Sequence, residues 1–248
     1  MNTAVKVGAT VLVALIAGAT VFSAQGEKLL QASQDGNLAL TTVALASGAP
    51  IECTDVYGET PIALAARGKH NEVVAYLLQH GGSVTHRDKF GMAALHQAAV
   101  SGDEKTVDLL LEHGADLATQ DDNDCTPLMI AVNNNNPVAA MALIQHGART
   151  DGRDVTGMTN LFLAAFRDES QLCATLLDLN VDPNVPNQDG ETPLMVAAGS
   201  GDAHIVKMLL VHGANRSLKD RYGADALEYA RSEGHETIAE LLRKSPEF

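Results

Sequence analysis

The sequence contains no tryptophan, and aromatic residues make up only 4% of its 248 positions. With 46% hydrophobic residues the chain is apolar enough to fold, but its core volume has to come from small aliphatic side chains. That suits a solenoid, in which each repeat packs only on its neighbours, better than one large globular core. Cysteine is scarce too: Cys53, Cys125 and Cys173 show no CxxC and no Cys/His metal spacing, which excludes a disulfide framework or a zinc module. An odd number leaves at least one thiol unpaired within the chain. Cys173 lies in an apolar helical stretch and is expected to pack as a small hydrophobe; Cys53 and Cys125 stand near loops, where reactivity stays open. Positive charge is also in deficit, and the net charge is −14. An acidic surface repels nucleic acid and anionic lipid; it suits a basic partner, or plain solubility. No Gly-x-Ser-x-Gly, phosphate loop or His-Glu-x-x-His occurs, so neither an enzyme nor a cofactor is expected.

The chain opens on an uncharged, apolar run. Lys6 precedes Val7–Phe22, rich in Val, Ala and Leu, and the small residues Ser23 and Ala24 follow. This is the pattern of a secretory signal, with residues 1–24 removed on export. A spanning helix needs about 20 apolar residues, so the run is slightly short for a retained anchor, which is the second reading. The first cysteine is Cys53, so no lipidated cysteine follows the cleavage site.

What is present is a period. Gly58, Gly91, Asp124, Gly157, Gly190 and Gly223 stand 33 residues apart, and Gly58-Glu-Thr-Pro-Ile returns as Gly190-Glu-Thr-Pro-Leu. The grid divides the chain into units 25–57, 58–90, 91–123, 124–156, 157–189, 190–222 and a partial 223–248. In the fourth unit Thr126 reads as a helix N-cap with Pro127 at the first helical position, where a missing N–H costs nothing. Asn133–Asn136 make a turn, Pro137 opens a second helix, and Gly147 ends it. Asp103 and Asp202 mark equivalent second-helix starts. Val73, Val74, Leu77 and Leu78 recur as Val107, Leu110 and Leu111 and as Ile205, Val206, Leu209 and Leu210, a helical stripe facing a core. Asn180 replaces the closing glycine once, and asparagine tolerates the left-handed backbone.

These units resemble the ankyrin repeat family: Gly-Glu-Thr-Pro-Ile at 58–62, Ala-Leu-His-Gln-Ala-Ala at 94–99, Leu-Leu-Leu-Glu-His-Gly-Ala-Asp at 109–116 and Gly-Glu-Thr-Pro-Leu at 190–194. The likeness covers residues 25–248 without insertion. It implies an all-α solenoid of about seven repeats, each a helix-turn-helix followed by a β-hairpin loop, with neighbouring helices 8–10 Å apart and an array roughly 60–70 Å long. It also implies a non-catalytic protein-binding scaffold that uses loop tips and first helices on its concave side. Departures fall at 25–57, which lacks Thr-Pro, at 157–189, with Thr159-Asn160 and no glycine turn, and at the polar last unit. Polar outer faces on terminal units keep a solenoid soluble.

His80, His113, His146 and His212 share one grid position. Consecutive members are one repeat, about 10 Å, apart, too far for one ion, and histidine near a helix C-terminus favours the dipole. Asp121-Asp122-Asn123-Asp124 lacks the glycine and glutamate of a calcium loop and reads as a solvated tip. No metal is expected. Residues preceding the grid positions include Tyr57, Phe90 and Tyr222; each ring either covers a neighbouring loop or meets a partner, where Tyr and Arg are favoured anchors. Met92 and Arg221 sit beside them, and Phe166 and Arg167 lie on the inner helix side. These seven residues form the candidate partner-binding set. The expectation is a monomer, exported and most simply periplasmic, with secretion or membrane anchoring as alternatives, that binds a protein and touches a membrane only if residues 7–22 are retained.

Overall fold

A computed structural model describes residues 24–243; the expected signal or anchor at Val7–Phe22 lies outside them. Contacts divide the chain into two compact units, Met1–Asp116 and Leu117–Phe248. In the described part of the first, helical residues 24–34 (α1) precede Leu38–Ala46 (α2), Pro61–Arg67 (α3), Asn71–Gln79 (α4), Ala94–Ser101 (α5) and Glu104–Glu112 (α6). The second holds Pro127–Asn133 (α7), Pro137–Gln145 (α8), Asn160–Phe166 (α9), Ser170–Asp178 (α10), Pro193–Ser200 (α11), Ala203–Val211 (α12), Ala226–Ser232 (α13) and Glu236–Arg243 (α14). From residue 25 onward, each 33-residue stretch carries one helix pair.

Within each unit the helices form two layers. Odd-numbered helices pack on odd-numbered ones, as α3 on α5 and α9 on α11; even-numbered ones do likewise, as α4 on α6 and α10 on α12. The core between the layers is aliphatic: Val73, Val74, Leu77, Val107, Leu110, Leu176 and Leu209 are buried, and Phe162 is the largest fully buried side chain. Leu111 and Leu210, at the edge of the expected stripe, are half-buried.

Local signals start and stop these helices. Thr60, Thr126, Thr159 and Thr192 each accept an N–H three residues on. Thr159 does so although Asn160 replaces the usual proline. Ala93 has no capping oxygen, and there His96 Nδ1 accepts the Ala93 N–H at 3.0 Å. Asp103 and Asp202 cap α6 and α12. At the C-termini, Nδ1–H of His80, His113 and His212 donates to the carbonyl four residues back, at 2.8 Å in each case. Asn180, standing for glycine, has φ +58°. The turn without glycine in 157–189 is made by Asp168 at φ +57°; Lys69 and Asn135 take the same role in their repeats.

The expected β-hairpins are minimal. Among the described residues no strand forms, and the one isolated bridge joins Arg153 to Thr159. The loops are too short for ladders, and side chains hold them instead.

Candidate functional site

Each loop tip is built on one acceptor. Asp55 Oδ1 takes the N–H groups of Tyr57 and Glu59 at 2.8 and 2.9 Å, and Asp88 Oδ1 takes those of Phe90 and Met92. Asp121, Asp154, Asn187 and Asp220 repeat the arrangement. Burial pushes the Asp220 carboxyl up, but the N–H groups of Ala224 and Tyr222 and the Tyr229 hydroxyl outweigh it and hold it below the usual carboxylate range. Asp121 therefore organises its own loop, and among the described residues no group of three or more His, Cys, Asp or Glu side chains could hold a metal ion. The grid residue after each tip turns the chain back with positive φ, including Asp124 at +58°. At Gly190 a Cβ would stand 3.0 Å from Arg221 N, so that position needs glycine for space as well as for its φ of +82°.

Neighbouring tips are joined through main chain. Lys89 N–H donates to Tyr57 O at 2.9 Å, Val155 to Asn123 O, Gln188 to Thr156 O and Arg221 to Asp189 O. The backbone of each tip is thus ordered before anything binds, while the side chains project. Tyr57, Phe90 and Tyr222 are 56%, 57% and 82% exposed, so none of these rings is packed away under a neighbouring loop.

The candidate residues fall into two sets. Tyr57 and Phe90 lie on adjacent tips of the first unit, with Met92 half-buried beside Phe90. Phe166, Arg167, Arg221 and Tyr222 belong to the second. Phe166 ends α9 and is exposed; the Arg167 guanidinium lies 5.8 Å from its ring centroid and donates to Asn133 Oδ1 at 2.7 Å. Arg221 pairs with Asp189 and lies 5.8 Å from the Tyr222 ring centroid. Exposed valines also mark tips: Val56 stands beside Tyr57, and Val155 holds the equivalent grid place in its own repeat. They were legible, since they stand one residue before Tyr57 and Thr156 on the grid.

The ankyrin repeat family model matches residues 29–121, 115–187 and 164–247. The chain belongs to the ankyrin repeat family. Its fold is similar to the human ASB11 ankyrin repeat domain, at TM-score 0.80 and 24% identity over 88% of this chain and 98% of that one. It is also similar to the ankyrin repeat domain of Bcl-3, a member of the IkappaB protein family, at TM-score 0.74 and 26% identity over the same shares. No curated protein matches the sequence. Ankyrin repeats are generally protein–protein interaction scaffolds, and ankyrin repeat domains are typically non-catalytic.

Two of the concave spaces among the described residues lie near candidate residues or a thiol. One, of about 630 Å³, lies in the first unit beside Leu30, Gln34, Cys53 and Val56. The other, about 310 Å³, lies in the second unit and includes Phe166, Glu191, Gly199 and Tyr229. None of the three cysteines is in a disulfide. Burial pushes Cys53 up to about 11, and Cys125 and Cys173 up to about 12, with Asp121 adding to the effect at Cys125 and Glu169 at Cys173. A thiol held protonated at neutral pH is a poor nucleophile, and burial works in that direction at Cys53 and Cys125.

Proposed function

We propose that this chain is an exported, non-catalytic scaffold that binds a partner protein through its loop tips and inner helix face. One observation carries the reading: Tyr57, Phe90 and Tyr222 stand exposed on tips whose backbone N–H groups are already held by an aspartate. Large rings on preformed loops contribute contact area with little ordering entropy lost on association. Met92, Phe166, Arg167 and Arg221 extend the same surface within their units. Export rests on Lys6, the uncharged run Val7–Phe22 and the small residues after it, and the periplasm is the compartment that this short signal suits. Retention of that run would tether the scaffold to a membrane instead. In either setting, holding an exported enzyme as an accessory factor is one form the scaffolding takes. The protein acts as a monomer.

Affinity capture from the exported fraction tests this, with the wild-type chain set against a folded triple variant, Tyr57→Ala, Phe90→Ala and Tyr222→Ala. A protein held by the first and lost by the second is expected. Identical capture by both removes the tips from the site, and no specific capture by either removes the scaffold reading. Sequencing the N-terminus of the mature protein decides between a signal cleaved at Ser23–Ala24 and a retained anchor.

A further inference from the structure

The family's repeats allow one part of the molecule to serve as a template for another. Glu59 is buried, and Arg67 Nη1 donates to its Oε1 at 2.6 Å. Gln97 Nε2, from the next repeat, donates to the same oxygen at 2.9 Å. Four repeats later the same three positions hold Glu191, Gly199 and Tyr229. Tyr229 does what Gln97 does, its hydroxyl donating to Glu191 Oε1 at 2.8 Å. The arginine is missing. Its place is Gly199, and the space its side chain would fill is part of the 310 Å³ cavity.

The cavity has the chemistry of an arginine site without the arginine. Met158, Phe162, Phe166 and Val196 line it with apolar surface, and Glu191 and Glu233 add carboxylates. Neither carboxylate has an ion-pair partner among the described residues; Glu191 is met by the neutral Asn187 amide and the Tyr229 hydroxyl. That hydroxyl also lies 2.9 Å from Asp220 Oδ2. A phenol has one hydrogen, so it serves one of the two carboxylates at a time and acceptors outnumber donors. A guanidinium brings five N–H groups and a delocalised charge. Its methylene stem suits an apolar wall, and its planar face suits the Phe166 ring. Arg167, whose guanidinium lies 5.8 Å from the Phe166 ring centroid, is engaged with Asn133 and is not part of the cavity lining. Nor is room lacking at Gly199: a Cβ there would meet only Tyr229 Cδ1, at an ordinary 3.5 Å.

We propose that this cavity receives an arginine side chain from the partner protein, which completes in trans the Glu–Arg pair that Glu59 and Arg67 form in cis. The inference rests on the protein-binding reading and names the partner's chemistry: a segment with an arginine next to an apolar residue.

The test uses the full chain as bait for a phage-displayed library of random twelve-residue peptides, with a Gly199→Arg variant as counter-selection. The variant supplies the missing side chain from within and closes the site. Wild type is expected to enrich peptides with arginine beside an aliphatic residue, and the variant is not. In a synthetic selected peptide, citrulline for arginine is expected to weaken binding roughly tenfold or more, the scale of losing charge-assisted hydrogen bonds. Glu191→Gln should give a comparable loss, and it keeps the test intact if Gly199→Arg fails to fold. Peptides without arginine, peptides with lysine in its place, or peptides bound equally by Gly199→Arg overturn the proposal and leave the scaffold reading standing. A library that yields no binder overturns it as well. Loss of partner capture in the tip variant with retention in Gly199→Arg separates the two readings from the other side.

Discussion

Among the described residues, Glu169 is the one buried side chain with both oxygens left unbonded. It is 8% exposed, and neither carboxylate oxygen has a hydrogen-bond partner. On the grid it stands where Asp103 and Asp202 cap second helices and where Nε2 of His70 and His235 bonds to carbonyls of the preceding repeat. Its side chain makes no cap at α10. Burial pushes its carboxyl up to about 7, with Arg167 opposing. The folded chain therefore holds this proton more tightly than the unfolded one. The stabilisation is complete below the ordinary glutamate value of 4.5 and is lost as pH rises through about 7. Glu169→Gln should match wild type near the acid end of that window and exceed it by about 2 kcal/mol above it, as read from urea unfolding at several pH values. Equal pH profiles would mean that the carboxylate finds a partner in solution. Glu169→Asp should gain about 1 kcal/mol by restoring the cap.

At the scale of elements, what was legible in sequence was whatever local chemistry dictates. Thr-Pro openings, aspartate caps, left-handed closers and aliphatic stripes all declare themselves within a few residues, and the helices begin and end where those signals stand. The loop-organising carboxylates were also on the grid, at Asp55, Asp88, Asp121, Asp154 and Asp220, with Asn187 in the fifth place. In an acidic chain a periodic aspartate reads as solvation, and its role shows only when its bonds do. The cavity at Gly199 was less accessible still. Its meaning needs Glu191 from the same repeat, Phe166 from the one before and Tyr229 from the one after, a combination that no single window of sequence contains. Truncation tests the helical stripe: Leu110, fully buried on α6, should cost about 2–5 kcal/mol when changed to Ala. A change below about half a kcal/mol, within the range of surface substitutions, would place the buried face elsewhere.

For the whole molecule, repetition sets where order is weakest. A solenoid's stability is a sum of repeat and neighbour terms, and among the described even-numbered helices α2 packs on α4 alone and α14 on α12 alone. Hydrogen exchange should therefore be fastest in α1 and α2 and in α13 and α14, and slowest in helices such as α4 and α10 that pack on even-numbered neighbours both before and after them. Uniform protection would contradict this. The tips point to a different kind of freedom. Because Asp55, Asp88 and their counterparts hold each loop by backbone N–H groups, and the loops are linked by main-chain bonds, the projecting side chains at Val56, Tyr57 and Phe90 have no part in making the loop that carries them. On the proposed reading, recognition would be written in letters that folding does not read. A lineage of such chains can exchange those letters for a new partner without solving the folding problem again.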